Sequence, residues 1–191
     1  MSKGRSRSVL AGLAAGAMLL SAMPAVPSVA SADEVNALMH DTFEGGASSW
    51  EGRGSASAEN SSKNSYEGSG ALYVTGRGAS WNGAQKVLDT TEFKPGETYS
   101  FSINAGFFDG KSKSNKMMLS LQYKDTSGTT AYGHIANMQS IGEYVLLHDP
   151  DYKLPAGSDY VLYVETEEGT ADFTIDEVTV SAAGTPIDIP D

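Results

Sequence analysis

Three observations predict an all-β protein built as an antiparallel β-sandwich. Apolar residues recur at every second position in segments of four to eight residues. The segments are separated by clusters of Gly, Asn, Asp and Ser, which favour turns. From about residue 39 onward no apolar stripe with helical spacing appears, so the helical crossovers that a parallel sheet needs are missing.

In chain order, Leu72 and Val74 alternate with Ala71, Tyr73 and Thr75, and Phe101 and Ile103 alternate with Ser100 and Ser102. Leu119 and Leu121 follow, then a strand around Tyr132 and Ile135, then Val145 and Leu147, Leu162 and Val164, and Phe173 and Ile175. Lys94-Pro95-Gly96-Glu97 is a tight turn, in which proline sets φ and glycine takes positive φ. Asp125-Thr126-Ser127-Gly128 has the composition of a hairpin loop, and Glu167-Glu168-Gly169 breaks the chain before the last strand. Residues 45–65 are small and polar and are expected to form a long surface connection with one short strand. No internal repeat is present.

The chain has 191 residues, 13 Lys+Arg against 24 Asp+Glu, and no cysteine. Lys3, Arg5 and Arg7 precede an apolar run at 9–20, and small residues end at Ala30-Ser31-Ala32. This is the pattern of a secretory signal cut after Ala32, and the run is too short to span a bilayer. The expected organisation is a signal peptide at 1–32, a short extension at 33–38, a sandwich at 39–181 and a linker-like tail at 182–191, rich in Ala, Gly and Pro. The leader holds three basic and no acidic residues, so its removal makes the formal charge of −11 more negative still. Such a body repels phosphate backbones and anionic lipid, which argues against nucleic-acid or membrane partners. A secreted location with no disulfide framework leaves carboxylates and a hard cation as a candidate way of holding the ends.

Trp81 is the most informative single residue. Its i±2 neighbours are Ala79 and Gly83, so a ring open to solvent is favoured over a core ring. An open indole bordered by amides suits the C–H face of a pyranose, whose hydroxyls meet Asn, Gln, Glu and Arg. Tyr163 and Glu165 share the strand face opposite Leu162 and Val164, and Tyr132 shares a face with His134. Each of these is ordinary surface decoration alone and a binding platform in company with Trp81. Glycoside hydrolysis would require two carboxyl groups flanking the bond, and Glu165 is the only acid placed on this face. His40, His134 and His148 have no zinc spacing, and no nucleophile-elbow motif occurs. Asp41-Thr42-Phe43-Glu44 opens the folded part and Thr174-Ile175-Asp176-Glu177 closes it. If the first and last strands are neighbours, Glu44 and Asp176 can share one calcium ion. Solvation of these acids is the plain alternative.

A series of motifs then matches a known family. His40-Asp41-Thr42-Phe43-Glu44-Gly45, Trp50 with Arg53-Gly54, Tyr66-Glu67-Gly68-Ser69-Gly70-Ala71-Leu72, Trp81-Asn82-Gly83-Ala84-Gln85, Tyr163-Val164-Glu165-Thr166 and Ile175-Asp176-Glu177 together resemble a family 22 carbohydrate-binding module. These are the xylan-binding modules of bacterial xylanases. The resemblance runs from about 39 to 185, and the run Arg77-x-x-x-Trp81-Asn82-Gly83 points to the xylan binders within the wider group.

The resemblance implies a jelly roll with a concave cleft for xylan or xylooligosaccharides, and a structural calcium away from it. By position it assigns the cleft to Arg53, Trp81, Tyr132, Tyr163 and Glu165, and the calcium to Thr42, Glu44 and Asp176, with carbonyls from 67–70. Val161 stands where some members carry a further cleft aromatic. The implied protein is a secreted, monomeric, non-catalytic module that delivers an attached or partner xylanase to its polymer. The alternatives are a small jelly-roll xylanase and a cell-surface adhesion or scaffold sandwich.

Overall fold

The computed structural model describes residues 37–108 and 115–185, and the expected signal peptide lies outside them. Among the described residues the chain forms eleven strands and no helix: β1 (Ala37–Asp41), β2 (Glu51–Arg53), β3 (Ser57–Ser61), β4 (Ala71–Thr75), β5 (Gly83–Val87), β6 (Thr98–Gly106), β7 (Asn115–Lys124), β8 (Thr130–Ser140), β9 (Tyr144–Lys153), β10 (Ser158–Thr166) and β11 (Phe173–Ala182). They make two sheets. One runs β3-β4-β11-β6-β9, with β1 also on β11; the other runs β2-β5-β10-β7-β8. Every pairing is antiparallel. Only β3-β4 and β7-β8 are hairpins; most other connections cross from one sheet to the other, as in a jelly roll.

The alternating residues read from the sequence form the interior. Leu72, Val74, Phe101, Ile103, Leu147, Ile175, Val178 and Val180 of one sheet face Leu119, Leu121, Leu162 and Val164 of the other. Burying each such side chain contributes about 1.5–3 kcal/mol. The turns form as expected. Gly96 has φ +80°, with the Glu97 amide donating to Lys94 O, and Asp125 Oδ1 accepts the amides of Ser127 and Thr129 in the β7-β8 hairpin.

The stretch 45–65 holds two short strands, β2 and β3, where one was expected. Both lie at sheet edges and carry small or polar residues, so neither shows alternation. Paired chain runs from Ala37 to Ala182, slightly wider than the expected 39–181. β1 does lie against β11, with Asp41 opposite Val178. The buried Asp41 carboxylate accepts from Trp50 Nε1 at 2.8 Å and Lys86 Nζ at 2.6 Å, tying β1 to β5 of the facing sheet.

Candidate functional site: the outer face of the β2-β5-β10-β7-β8 sheet

Register places three rows of side chains across this face. The first row is Arg53 of β2, Gly83 of β5, Glu165 of β10, Met118 of β7 and Asn137 of β8. Next comes Glu51, Gln85, Tyr163, Ser120 and His134, and then Val87, Val161, Gln122 and Tyr132. The period of two that buries Leu162 and Val164 brings these residues to the opposite side.

Arg53 crosses the face. One guanidinium nitrogen donates to Gln85 Oε1 and another to Gln122 Oε1, both at 2.8 Å, while the guanidinium carbon sits 4.0 Å from the centre of the Tyr163 ring. Tyr163 is only 4% exposed as a result. Its phenol pKa is pushed up to about 12, mainly by burial and then by the nearby Glu165 charge, with Arg53 opposing. Two amide carbonyls and a ring face thus hold a cation in one pose, leaving further N–H groups for a ligand.

Glu165 is buried at 7% exposure, and its Oε1 accepts the Ser120 hydroxyl at 2.7 Å. Ser120 has a single proton, which this bond uses, so the 3.0 Å contact to His134 requires Nδ1 of His134 to be the donor. Nε2 of the exposed His134 is then left for solvent or ligand. Glu51, on the same face, accepts from Gln85 Nε2 at 2.9 Å. Two strand spacings across and two residues along the strand, about 12 Å in all, separate the Glu51 and Glu165 backbones. Both rise from one sheet face and both are tied to protein donors, rather than facing each other across a bond.

Trp81 is 54% exposed and Tyr132 is 61% exposed. Trp81 ends the loop 76–82, and its ring lies against Gly54, where an added Cβ would come within 2.7 Å of Trp81 Cζ3. Arg77 fixes this loop from beneath. It is 6% exposed, donates to the carbonyls of Ser80 and Asn82 at 2.7 Å and to that of Ala171 at 2.5 Å, and also bonds the Thr166 hydroxyl. Asn82 Oδ1 adds bonds to the amides of Gly78 and Ala79. Trp81 stands beside β2 and β5, and Tyr132 stands on β8. Three strand spacings, about 14 Å, separate β5 from β8.

Of the five residues assigned to the cleft by resemblance, register brings Arg53, Tyr163, Glu165 and Tyr132 to this face, and the Trp81 ring lies against Gly54 just beyond β2. Arg53, Tyr163 and Glu165 form its floor, and Trp81 and Tyr132 stand exposed at its two sides. Gln85 sat within a quoted motif and His134 was noted beside Tyr132, but neither was singled out for the site. Arg77 belongs to the run that marks the xylan binders but carries no site role in the sequence, and Gln122, Ser120 and Glu51 are not marked by it at all. Parity along β7 would have found Ser120 and Gln122, both on the face opposite Leu119 and Leu121.

Glu44 and Asp176 both bond the loop 65–70, away from this face, and Thr42 lies two residues before Glu44. Glu44 Oε1 accepts the amides of Ser69 and Gly70 at 2.8 and 2.7 Å, and Oε2 accepts the Ser69 hydroxyl. These donors, led by Gly70, hold its carboxyl below the usual range. Asp176 is fully buried. It accepts the amides of Tyr66, Glu67 and Glu177, yet burial pushes its pKa up to about 6. Thr42 Oγ1 accepts the Glu44 amide at 3.5 Å. No three His, Asp or Glu side chains converge among the described residues. A cation here would take two carboxylates and complete its shell from hydroxyl and carbonyl oxygens. The donor set is all oxygen, the type a hard cation takes, while both carboxylates already accept amide N–H groups.

A family model described as a carbohydrate binding domain matches residues 35–175, which sets the class of protein to which this sandwich and its polar, aromatic face belong. The C-terminal family 22 carbohydrate-binding module of Clostridium thermocellum Xyn10B is 39% identical, with a TM-score of 0.77 over 83% of this chain and 100% of that one. A xylan-binding domain of family 22 is 40% identical, with a TM-score of 0.77 over 81% and 99%. The chain belongs to carbohydrate-binding module family 22, and its matched domain is a non-catalytic binding module. Among curated proteins, endo-1,4-beta-xylanase Y of Acetivibrio thermocellus is 44% identical over 154 residues, covering 79% of this chain and 14% of that protein. The xylanase/beta-glucanase of Ruminococcus flavefaciens is 36% identical over 80% of this chain and 19% of its own length. The chain thus spans less than a fifth of these two relatives.

Proposed function

We propose that the cleft binds xylan and xylooligosaccharides and brings a tethered or partner xylanase to that polymer. One observation carries this reading: two exposed aromatic rings, Trp81 and Tyr132, border a floor on which Arg53 is held flat against Tyr163. Each ring stacks on a pyranose face, contributing about 0.5–1.5 kcal/mol beyond area burial. Arg53, Glu165 and His134 meet the equatorial hydroxyls, and a charged partner contributes about 1.5–3 kcal/mol per bond. Because Gln85, Gln122, Ser120 and Tyr163 already fix these groups, little order is lost on binding. A xylose ring lacks the hydroxymethyl arm of glucose, so it can lie closer to a floor of packed side chains.

Three subsidiary readings accompany it. Thr42, Glu44 and Asp176, with carbonyls from 67–70, would hold a calcium ion that neutralises a buried carboxylate and pins the loop to both ends of the chain. The protein acts outside the cell, exported by its N-terminal signal. It works as a monomer.

Isothermal titration with xylohexaose, cellohexaose and mannohexaose tests the main reading. Xylohexaose is expected to bind with Kd of order micromolar to millimolar, and the other two more weakly. No heat with xylohexaose, or equal affinity for all three, would overturn it.

A further inference from the structure

The third row of the cleft differs in chemistry from the other two. It runs Val87, Val161, Gln122, Tyr132 and contains no ionisable side chain other than the tyrosine phenol. Val87 is 67% exposed, more than any other large apolar residue described. It is uncovered because β2 pairs β5 only from Gly83 to Gln85. Its cross-strand neighbour Val161 is half-buried beside it. Gln122, next in the row, is already committed to Arg53. At Val87 and Val161 the floor therefore offers methyl groups rather than hydrogen-bonding groups. Val87 also lines a recess of about 300 Å³ with the apolar Leu38, Leu88 and Phe93, and with Asp89, Glu92 and the Lys86–Asp41 pair.

We propose that this valine shelf is a subsite for neutral acyl substituents, so that the module prefers O-acetylated xylan to the bare chain. The proposal rests on the xylan reading above. An ester methyl is uncharged and apolar and packs between two valine side chains continuous with the sugar cleft. A uronic-acid carboxylate would lose water against these methyl groups, and Lys86, which lines the same recess, is already paired with Asp41 at 2.6 Å.

The test uses acetylated xylooligosaccharides and the same sample after alkaline de-esterification, titrated calorimetrically against the full chain. Burying one methyl group predicts about three- to five-fold tighter binding of the esterified sample. Val87→Thr keeps shape and strand preference while adding a hydroxyl. It is expected to bring the ratio of the two affinities close to one. Val161→Thr gives an independent second variant, and melting curves confirm that each is folded. Equal affinity of the wild-type chain for both samples, or an undiminished preference in both folded variants, would overturn the proposal while leaving xylan binding intact. Binding of neither sample overturns the xylan reading and the acyl subsite with it.

Discussion

The guanidinium of Arg53 lies over the ring of Tyr163 and reaches Gln85 on one side and Gln122 on the other, so four strands, β2, β5, β10 and β7, converge on one cation. The tyrosine is a support for Arg53, and the proposed xylan contact falls to the guanidinium. Arg53→Lys cannot span both glutamines with a single ammonium. It is expected to weaken xylohexaose binding by about ten- to a hundred-fold, whereas Tyr163→Phe, which keeps the ring, changes affinity little. Calorimetry on the two variants checks this; a strong loss in Tyr163→Phe with none in Arg53→Lys would reverse the assignment.

Trp81 and Arg77 should separate binding from folding. Trp81→Ala removes an exposed ring and is expected to abolish retention of the protein in a xylan affinity gel with the melting temperature unchanged. Arg77→Ala strips a buried cation from three carbonyls and a hydroxyl. It is expected to cost about 3 kcal/mol or more of stability and to weaken binding through the loosened loop. Thermal melts and gels on both variants give the comparison.

At the loop 65–70, Gly68 has φ +59°, and a Cβ there would fall 2.3 Å from Glu44 Oε1. Gly68→Ala therefore strains the backbone and displaces the carboxylate together. A loss of about 1–3 kcal/mol is expected in denaturant unfolding. If calcium sits here, a chelator lowers the melting temperature of the wild-type chain and has less effect on Gly68→Ala. Identical wild-type melts with and without chelator would remove the calcium reading.

Alkali reports on Tyr163. A free phenol ionises near pH 10, but burial holds this one protonated to about 12. Its neutral form is favoured in the folded state. The stability linked to it is complete below pH 10 and is lost as pH rises toward 12. Absorbance of tyrosinate should therefore lag behind a denatured sample across that window, and Tyr163→Phe should reduce the lag. A folded titration that overlays the denatured one contradicts the burial of this ring.

The strands with inward Leu, Val, Ile and Phe were legible because burial on one side only writes alternation directly into sequence. β2, β3 and the outer half of β5 were not, since edge strands with Gly, Ser and Glu bury too little to leave a pattern. Trp81 was legible because nothing around it is large enough to bury it. The stacking of Arg53 on Tyr163 was hidden, because it depends on three strands distant in sequence lining up in register. Parity marked Tyr163 as outward-facing, but it cannot say that another side chain lies on top. The hydroxyl of Ser120 between Glu165 and His134 was hidden for the same reason: its meaning comes from what lies opposite it on neighbouring strands.

Since Ala37 stands opposite Ser181 in the β1-β11 pair, the chain enters and leaves this domain at one point. Anything joined to either end would find the module hanging to the side like a pendant, adding almost nothing to the distance between its flanks. Tension applied through both ends would open that pair one hydrogen bond at a time, as a zipper parts, so the domain yields at its closing strands under modest pull while its sugar-gripping face is still whole.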